Sequence, residues 1–120
     1  MWGMASQLDD NTIHELAIYY ATRTAYPASG ADPVMVARGK ALYEHGSLDG
    51  KIASCQTCHG AQAEGVAASP RLAGQHPAYL AKQLAFFKSR LRANDPMMLE
   101  VCSRLTLEQI EALAAYAASR

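Results

Sequence analysis

Cys55-Gln56-Thr57-Cys58-His59, near the middle of the 120-residue chain, sets two thiols three positions apart with an imidazole directly behind the second. This C-x-x-C-H pattern is the attachment signature of a c-type haem. The spacing has a chemical reason. Two thiols add across the two vinyl groups on one edge of a porphyrin. The histidine that follows is thereby placed beneath the iron, to which it gives one axial nitrogen.

Three other readings of the same residues compete. A redox C-x-x-C belongs near a βαβ pattern, and no strand pattern occurs here. A zinc site needs four ligands; Cys55, Cys58 and Cys102 with His45 or His59 supply the atoms, but the long gap to Cys102 fits no zinc-ribbon spacing. The third is a chance match in an exposed loop. Haem explains most, because it also accounts for residues 46–75. That stretch is loop-like, with scattered Gly, Ser, Asp and Pro. So long a loop in a compact domain needs an organising group, and a large buried cofactor is one.

Outward from this loop the chain reads as helices. Asp32-Pro33 is an N-cap followed by proline at the first helical position, and the helix runs to a stop at Gly46. Gly39 in its middle costs about 1 kcal/mol relative to alanine, which a close helix–helix approach would explain. A second helix starts at His76-Pro77 and runs to about Leu91, with Leu80, Leu84, Phe87 and Leu91 as its apolar stripe. A third starts at Thr106, where Thr106 and Gln109 form a capping box; its stripe is Ile110, Leu113, Ala114 and Ala117. An N-terminal helix over about 9–23 carries Ile13, Leu16, Ala17 and Tyr20 on one face, and a Pro/Gly/Ser linker follows it. The class is all-α.

One internal repeat is present. Residues 8–23, LDDNTIHELAIYYATR, lie over 105–120, LTLEQIEALAAYAASR, at a constant offset of 97. The matched pairs include Ile13/Ile110, Leu16/Leu113, Tyr19/Tyr116 and Arg23/Arg120, and upstream Met1 falls on Met98. The repeat implies the tail of one domain (1–28) followed by a complete domain (29–120).

Composition narrows the function. Half the residues are hydrophobic and 18% are charged, as in a globular chain. No apolar run reaches membrane-spanning length. A formal net charge of zero argues against a nucleic-acid binder held by phosphate contacts. The secretory leader pattern is missing, so the numbering is that of a mature protein or of a domain cut from a longer chain. Charge is unevenly distributed. Residues 71–104 hold six basic groups against Asp95 and Glu100, whereas residues 1–70 hold four basic and seven acidic groups. A basic patch that steers an acidic partner and a set of solvated helix faces both fit that count.

A carrier haem needs a second axial ligand. Met97 and Met98 lie between the last two helices, after Asn94-Asp95-Pro96. Methionine opposite histidine raises the reduction potential; filling gaps in the core is the other use of a Met pair. The repeat register selects Met98. His14, His45 and His76 have weaker claims, as an exposed helix residue, a helix end and a helix start.

Taken together, ASCQTCHGAQAEG (53–65), SPRLAGQHPAYLAKQLAFFKSRLRANDPMM (69–98) and LTLEQIEALAAYAAS (105–119) resemble one domain of the periplasmic di-haem cytochrome c4 group. The resemblance implies a class I cytochrome c fold wrapped around one covalently bound haem c, with an extra N-terminal helix. It implies that Cys55 and Cys58 bind the haem, that His59 is the proximal iron ligand and that Met98 is the distal one. Pro70 would hold the other histidine nitrogen through its carbonyl, and Gln75 and Tyr79 would lie near the haem edge or its propionates. Gly39 and Tyr43 would meet Leu113 and Tyr116 at a helix crossing. It implies a periplasmic location, redox partner proteins at the exposed haem edge, no nucleic acid, and association with membrane-bound respiratory enzymes. Residues 1–24 would meet a preceding cytochrome domain or a second copy. The chain departs from the group in having a single C-x-x-C-H and an unpaired Cys102, which reads as a small buried hydrophobe.

Two functions follow. One is an electron carrier with both axial positions filled, and no enzyme. The other is a haem enzyme or sensor with a displaceable sixth ligand. A methionine at the expected place favours the carrier.

Overall fold

The computed structural model describes residues 2–24, 26–28 and 30–120. They form α1 (Trp2–Ala5), α2 (Asp10–Ala21), α3 (Pro33–His45), α4 (Gln56–His59), α5 (Pro77–Lys88), α6 (Pro96–Ser103) and α7 (Leu107–Ala118). Among the described residues there is no strand, only an isolated bridge between Val66 and Ser69. The all-α expectation holds.

Helix starts follow the capping chemistry. Asp32 Oδ1 accepts the Val34 N–H at 2.8 Å, with Pro33 in the first turn of α3. In α7 the box is complete: Gln109 N donates to Thr106 Oγ1 at 3.1 Å, and Thr106 N donates to Gln109 Oε1 at 2.8 Å. The same grammar opens α6, where Asp95 Oδ1 accepts from Met98 N at 3.0 Å ahead of Pro96.

The core lies where α7 packs against α3 and α5, and α5 meets α6. Tyr43 and Tyr116 are among the most buried large side chains, with ring centroids 5.1 Å apart. Gly39 is the point of closest approach. A Cβ there would run into the carbonyl oxygen of Ala112 and come within 2.8 Å of Tyr116 Cβ. The helix crossing expected of Gly39 is therefore present, with Ala112 rather than Leu113 against the glycine. The Arg38–Glu108 ion pair spans the same two helices at the surface.

Three expectations need correction. The helix after His76 stops at Lys88, because Arg90 turns the chain left-handed at φ 64°. Leu91 is thus lifted off the apolar stripe and is 76% exposed. The segment holding Met97 and Met98 is not a connector but the helix α6. The loop over 46–75 contains the one-turn helix α4. Within this chain the stripe of α2 is uncovered: Ile13, Leu16 and Tyr20 are exposed, as expected of a face that meets a preceding domain or a second copy. Its segment is tied to the rest by Arg71 Nη1 donating to the Arg23 carbonyl at 3.0 Å, and the linker by Ala28 N donating to the Ala118 carbonyl at 2.7 Å. Met1, whose register pointed to Met98, lies outside the described residues.

Candidate functional site

The two thiols and the imidazole are brought together by a single helical turn. His59 N donates to the Cys55 carbonyl at 2.9 Å, and Cys58 N donates to the same oxygen at 3.2 Å. Residues three and four apart share a helix face, so Cys55, Cys58 and His59 project from one side of α4. Gly60, at φ 83°, ends the turn.

This turn is anchored on α3. Cys55 N and Ser54 Oγ both donate to the Tyr43 carbonyl, at 2.9 and 3.1 Å, and Gln56 Nε2 donates to the Glu44 carbonyl at 2.9 Å. The Tyr43 hydroxyl returns to the Gly60 carbonyl at 2.7 Å. Burial pushes that hydroxyl's pKa far above its ordinary value, with smaller contributions from Cys55, Tyr116 and Glu64, so it remains a donor.

His59 is buried, and its Nδ1 lies 2.9 Å from the Pro70 carbonyl oxygen. A carbonyl only accepts, so Nδ1 carries the hydrogen and Nε2 keeps the lone pair a metal needs. The Pro70 stretch is held in turn by Ala63, whose carbonyl accepts from Leu72 N and Ala73 N at 2.8 and 2.9 Å. Ala63 is fully buried at φ 58°. Gly65 N completes the brace by donating to the His59 carbonyl at 2.8 Å.

The donor set fits a covalently tethered haem. Cys55 and Cys58 are free and half-buried. Burial, then the neighbouring Cys58, pushes the Cys55 thiol up to about 11. Cys55, Leu72, Ala73, Leu84, Met98 and Leu99 pack against one buried cluster, which gives an apolar flank to the thiols. Met98 is half-buried on α6, whereas Met97 is 65% exposed. Successive helical residues point about 100° apart, and α6 turns Met98 inward. A zinc site gains no support, since among the described residues no three His, Cys, Asp or Glu side chains gather as metal ligands.

The resemblance also named Gln75 and Tyr79. Gln75 is exposed and accepts the N–H of His76 at 2.9 Å, while Tyr79 is half-exposed on α5; neither hydrogen-bonds to Cys55, Cys58, His59 or Met98. His14, His45 and His76 are at the surface. Cys102 is fully buried within the core cluster, and burial, then Cys55 nearby, pushes its thiol up to about 11. Sequence reasoning missed Ala63 as a brace, because nothing marks an alanine as left-handed. The Tyr43 bond to Gly60 had a faint signal in a tyrosine one turn from a helix end.

Among the described residues no helix is long and apolar enough to cross a membrane. The Cytochrome c family profile matches residues 36–120. The chain is 37% identical over 121 residues to a cytochrome c4 of Thiocapsa roseopersicina, covering 97% of this chain and 62% of the relative. It is 42% identical over 81 residues to a thiosulfate dehydrogenase electron acceptor of Stutzerimonas stutzeri, covering 66% of this chain and 37% of that one. Its fold superimposes on the solved cytochrome c4 of Acidithiobacillus ferrooxidans with a TM-score of 0.88 at 33% identity, covering 100% of this chain and 71% of that one. The chain thus spans a little under two thirds of the length of the Thiocapsa cytochrome c4. A helical fold of this kind, built round Cys55, Cys58 and His59 as the attachment site of one haem c, makes the chain a member of the cytochrome c family.

Proposed function

We propose that this chain is an electron carrier, or the carrier domain of a longer protein, rather than an enzyme. Bound haem c supplies a one-electron Fe(III)/Fe(II) couple. Cys55 and Cys58 would tether it, and His59 Nε2 and the Met98 sulfur would be the axial ligands. The observation that carries this reading is the pairing of His59, fixed in one tautomer by Pro70 at 2.9 Å, with an inward-turned methionine on a capped helix. A filled sixth position suits electron transfer and leaves no open coordination site for substrate.

The other chain residues take supporting roles in this reading. The Pro70 carbonyl orients the imidazole and raises its basicity. Gln75 and Tyr79, at the surface of the α5 start, would line the haem edge. Residues 29–120 would be the complete haem domain, and 1–28 the end of a preceding one. Covalent haem attachment and the cytochrome c4 relatives support a periplasmic location. Redox proteins would be the partners; the relative named as an electron acceptor of thiosulfate dehydrogenase supports an oxidoreductase as one class of donor.

A visible spectrum of the haem-loaded protein tests this. A low-spin, six-coordinate ferrous spectrum unchanged under carbon monoxide is expected. A high-spin spectrum, or rapid carbon monoxide binding, would replace the carrier with an enzyme or gas sensor.

A further inference from the structure

We propose that Arg104 is a positioning residue for the sixth ligand of the iron: it clasps α6, the helix that carries Met98, to the loop leading into the haem-attachment turn. This rests on the His59 and Met98 ligation put forward above, and names what keeps the second of those ligands in place.

The helix does not secure Met98 by its own stability. It is eight residues long, and an isolated helix of two turns is unstable in water. Asp95 caps its first turn, yet Pro96 and Met97 there are exposed and Met98 is only half-buried. Full burial begins one turn later, at Cys102, and continues at Leu105 beyond the C-cap. The ligand thus sits at the loosely covered end of a short helix that is gripped at its other end.

Arg104 is the C-cap of α6, and its guanidinium bonds in two directions. Nη2 donates to Glu100 Oε1 at 2.9 Å, one turn back on the same helix. Nη1 donates to the Lys51 carbonyl at 3.2 Å, far away in sequence. The fork is planar and rigid, so the Glu100 bond aims the Lys51 bond. A second cation grips the same end from another neighbour: Lys88 Nζ, on α5, donates to the Ser103 carbonyl at 3.1 Å. Both charges suit the negative end of the helix dipole. Apolar burial is non-directional, so Cys102 and Leu105 set the depth of α6 but not its roll. Directional bonds to two separate neighbours set the roll, and with it the aim of Met98.

The far end of the clasp is firm. Ser47 N donates to the Ile52 carbonyl at 3.0 Å, Ile52 N to Ser47 Oγ at 2.8 Å, and Ser47 Oγ to Asp49 Oδ1 at 2.6 Å. Ile52 is buried in the same cluster as Cys102 and Leu105. Three residues on, Cys55 N is held by the Tyr43 carbonyl. Arg104 therefore joins the segment that carries Met98 to the one that carries Cys55 and His59. Without it Met98 should spend more time off the iron. An external ligand reads that fraction, because its apparent affinity rises in proportion to the population able to bind it.

The test is titration of the ferric, haem-loaded protein with imidazole, followed by loss of the methionine-to-iron charge-transfer band. Arg104→Gln should show the band before imidazole is added, and should bind imidazole roughly three- to tenfold more tightly than the parent. Arg104→Lys, whose ammonium can still donate to the Lys51 carbonyl, should lie closer to the parent. Arg38→Gln removes a surface ion pair between α3 and α7, away from α6, and should bind imidazole as the parent does. Equal affinity in Arg104→Gln and the parent overturns the clasp. So does an equal rise in Arg38→Gln, which would mark general loosening. A parent protein that lacks the band fails one step earlier: Met98 would not be the ligand, and the carrier reading would fall together with the clasp.

Discussion

The hydroxyl of Tyr43, near the end of α3, donates to the carbonyl of Gly60, the residue directly after His59, across 2.7 Å. The bond ties the haem-attachment turn to the most tightly packed helix pair. In Tyr43→Phe the ring still packs on Tyr116, and the Gly60 carbonyl keeps only the Ala63 N–H, at 3.1 Å. Loss of one such hydrogen bond costs about 1 kcal/mol. The denaturant midpoint of Tyr43→Phe should fall accordingly while its slope stays the same, and an unchanged midpoint would show the bond to be idle.

At Gly39 the constraint is steric. An alanine methyl would meet the Ala112 backbone, which has no flexible end to give way. Overpacking of this kind costs about 1–3 kcal/mol and more where backbone must shift; Gly39→Ala should stand at the upper end. Gly3→Ala, with nothing within 4 Å of the added carbon, should be neutral or slightly stabilising. Thermal melts of the two variants give the comparison, and similar melting temperatures would count against the close α3–α7 approach.

Met98 and Met97 should behave as opposites. Met98→Ala should abolish a methionine-to-iron charge-transfer band and lower the reduction potential. Met97→Ala, at an exposed position, should leave both nearly intact. The reverse pattern would mean that α6 presents its other face to the iron.

A chain beginning at Ala31 should keep the haem spectrum of the parent. It loses α2, whose apolar stripe is exposed, together with the Ala28–Ala118 and Arg71–Arg23 hydrogen bonds. Each such bond is worth about 1 kcal/mol, less for the exposed Arg71 contact, so the melting temperature should fall by about 10 °C at most. Failure to hold a low-spin haem would place the N-terminal helix inside the functional unit and end the two-domain division at residue 28.

The sequence made α3, α5 and α7 readable through caps and stripes that act within a few residues of each other. The attachment turn was readable because its chemistry is written in consecutive positions. Two things were not. The helix α6 spans eight residues, too few for a periodic stripe, although Asp95-Pro96 repeats the start signal of Asp32-Pro33. The stop of α5 depends on Arg90 taking a conformation that its side chain disfavours, and no residue rule announces that. The opposite fates of α2 and α7 teach the same lesson. Their apolar faces match at three of four positions, Tyr20 standing where α7 has Ala117, yet Ile110 is buried and Ile13 is exposed. Burial is decided by what lies across the contact.

The contact across Gly39 has one more consequence. With backbone laid on backbone, no side chain separates α3 from α7 there that might flex or change rotamer. Close-packed interiors compress little, so the two helices move as one body, and the Tyr43 hydroxyl and Cys55 amide fix the attachment turn to that body. For a protein whose proposed task is to gain and lose one electron, such stiffness means small nuclear displacements between the two charge states. A low reorganisation energy would then be a property of the scaffold, set by a missing methyl group at position 39.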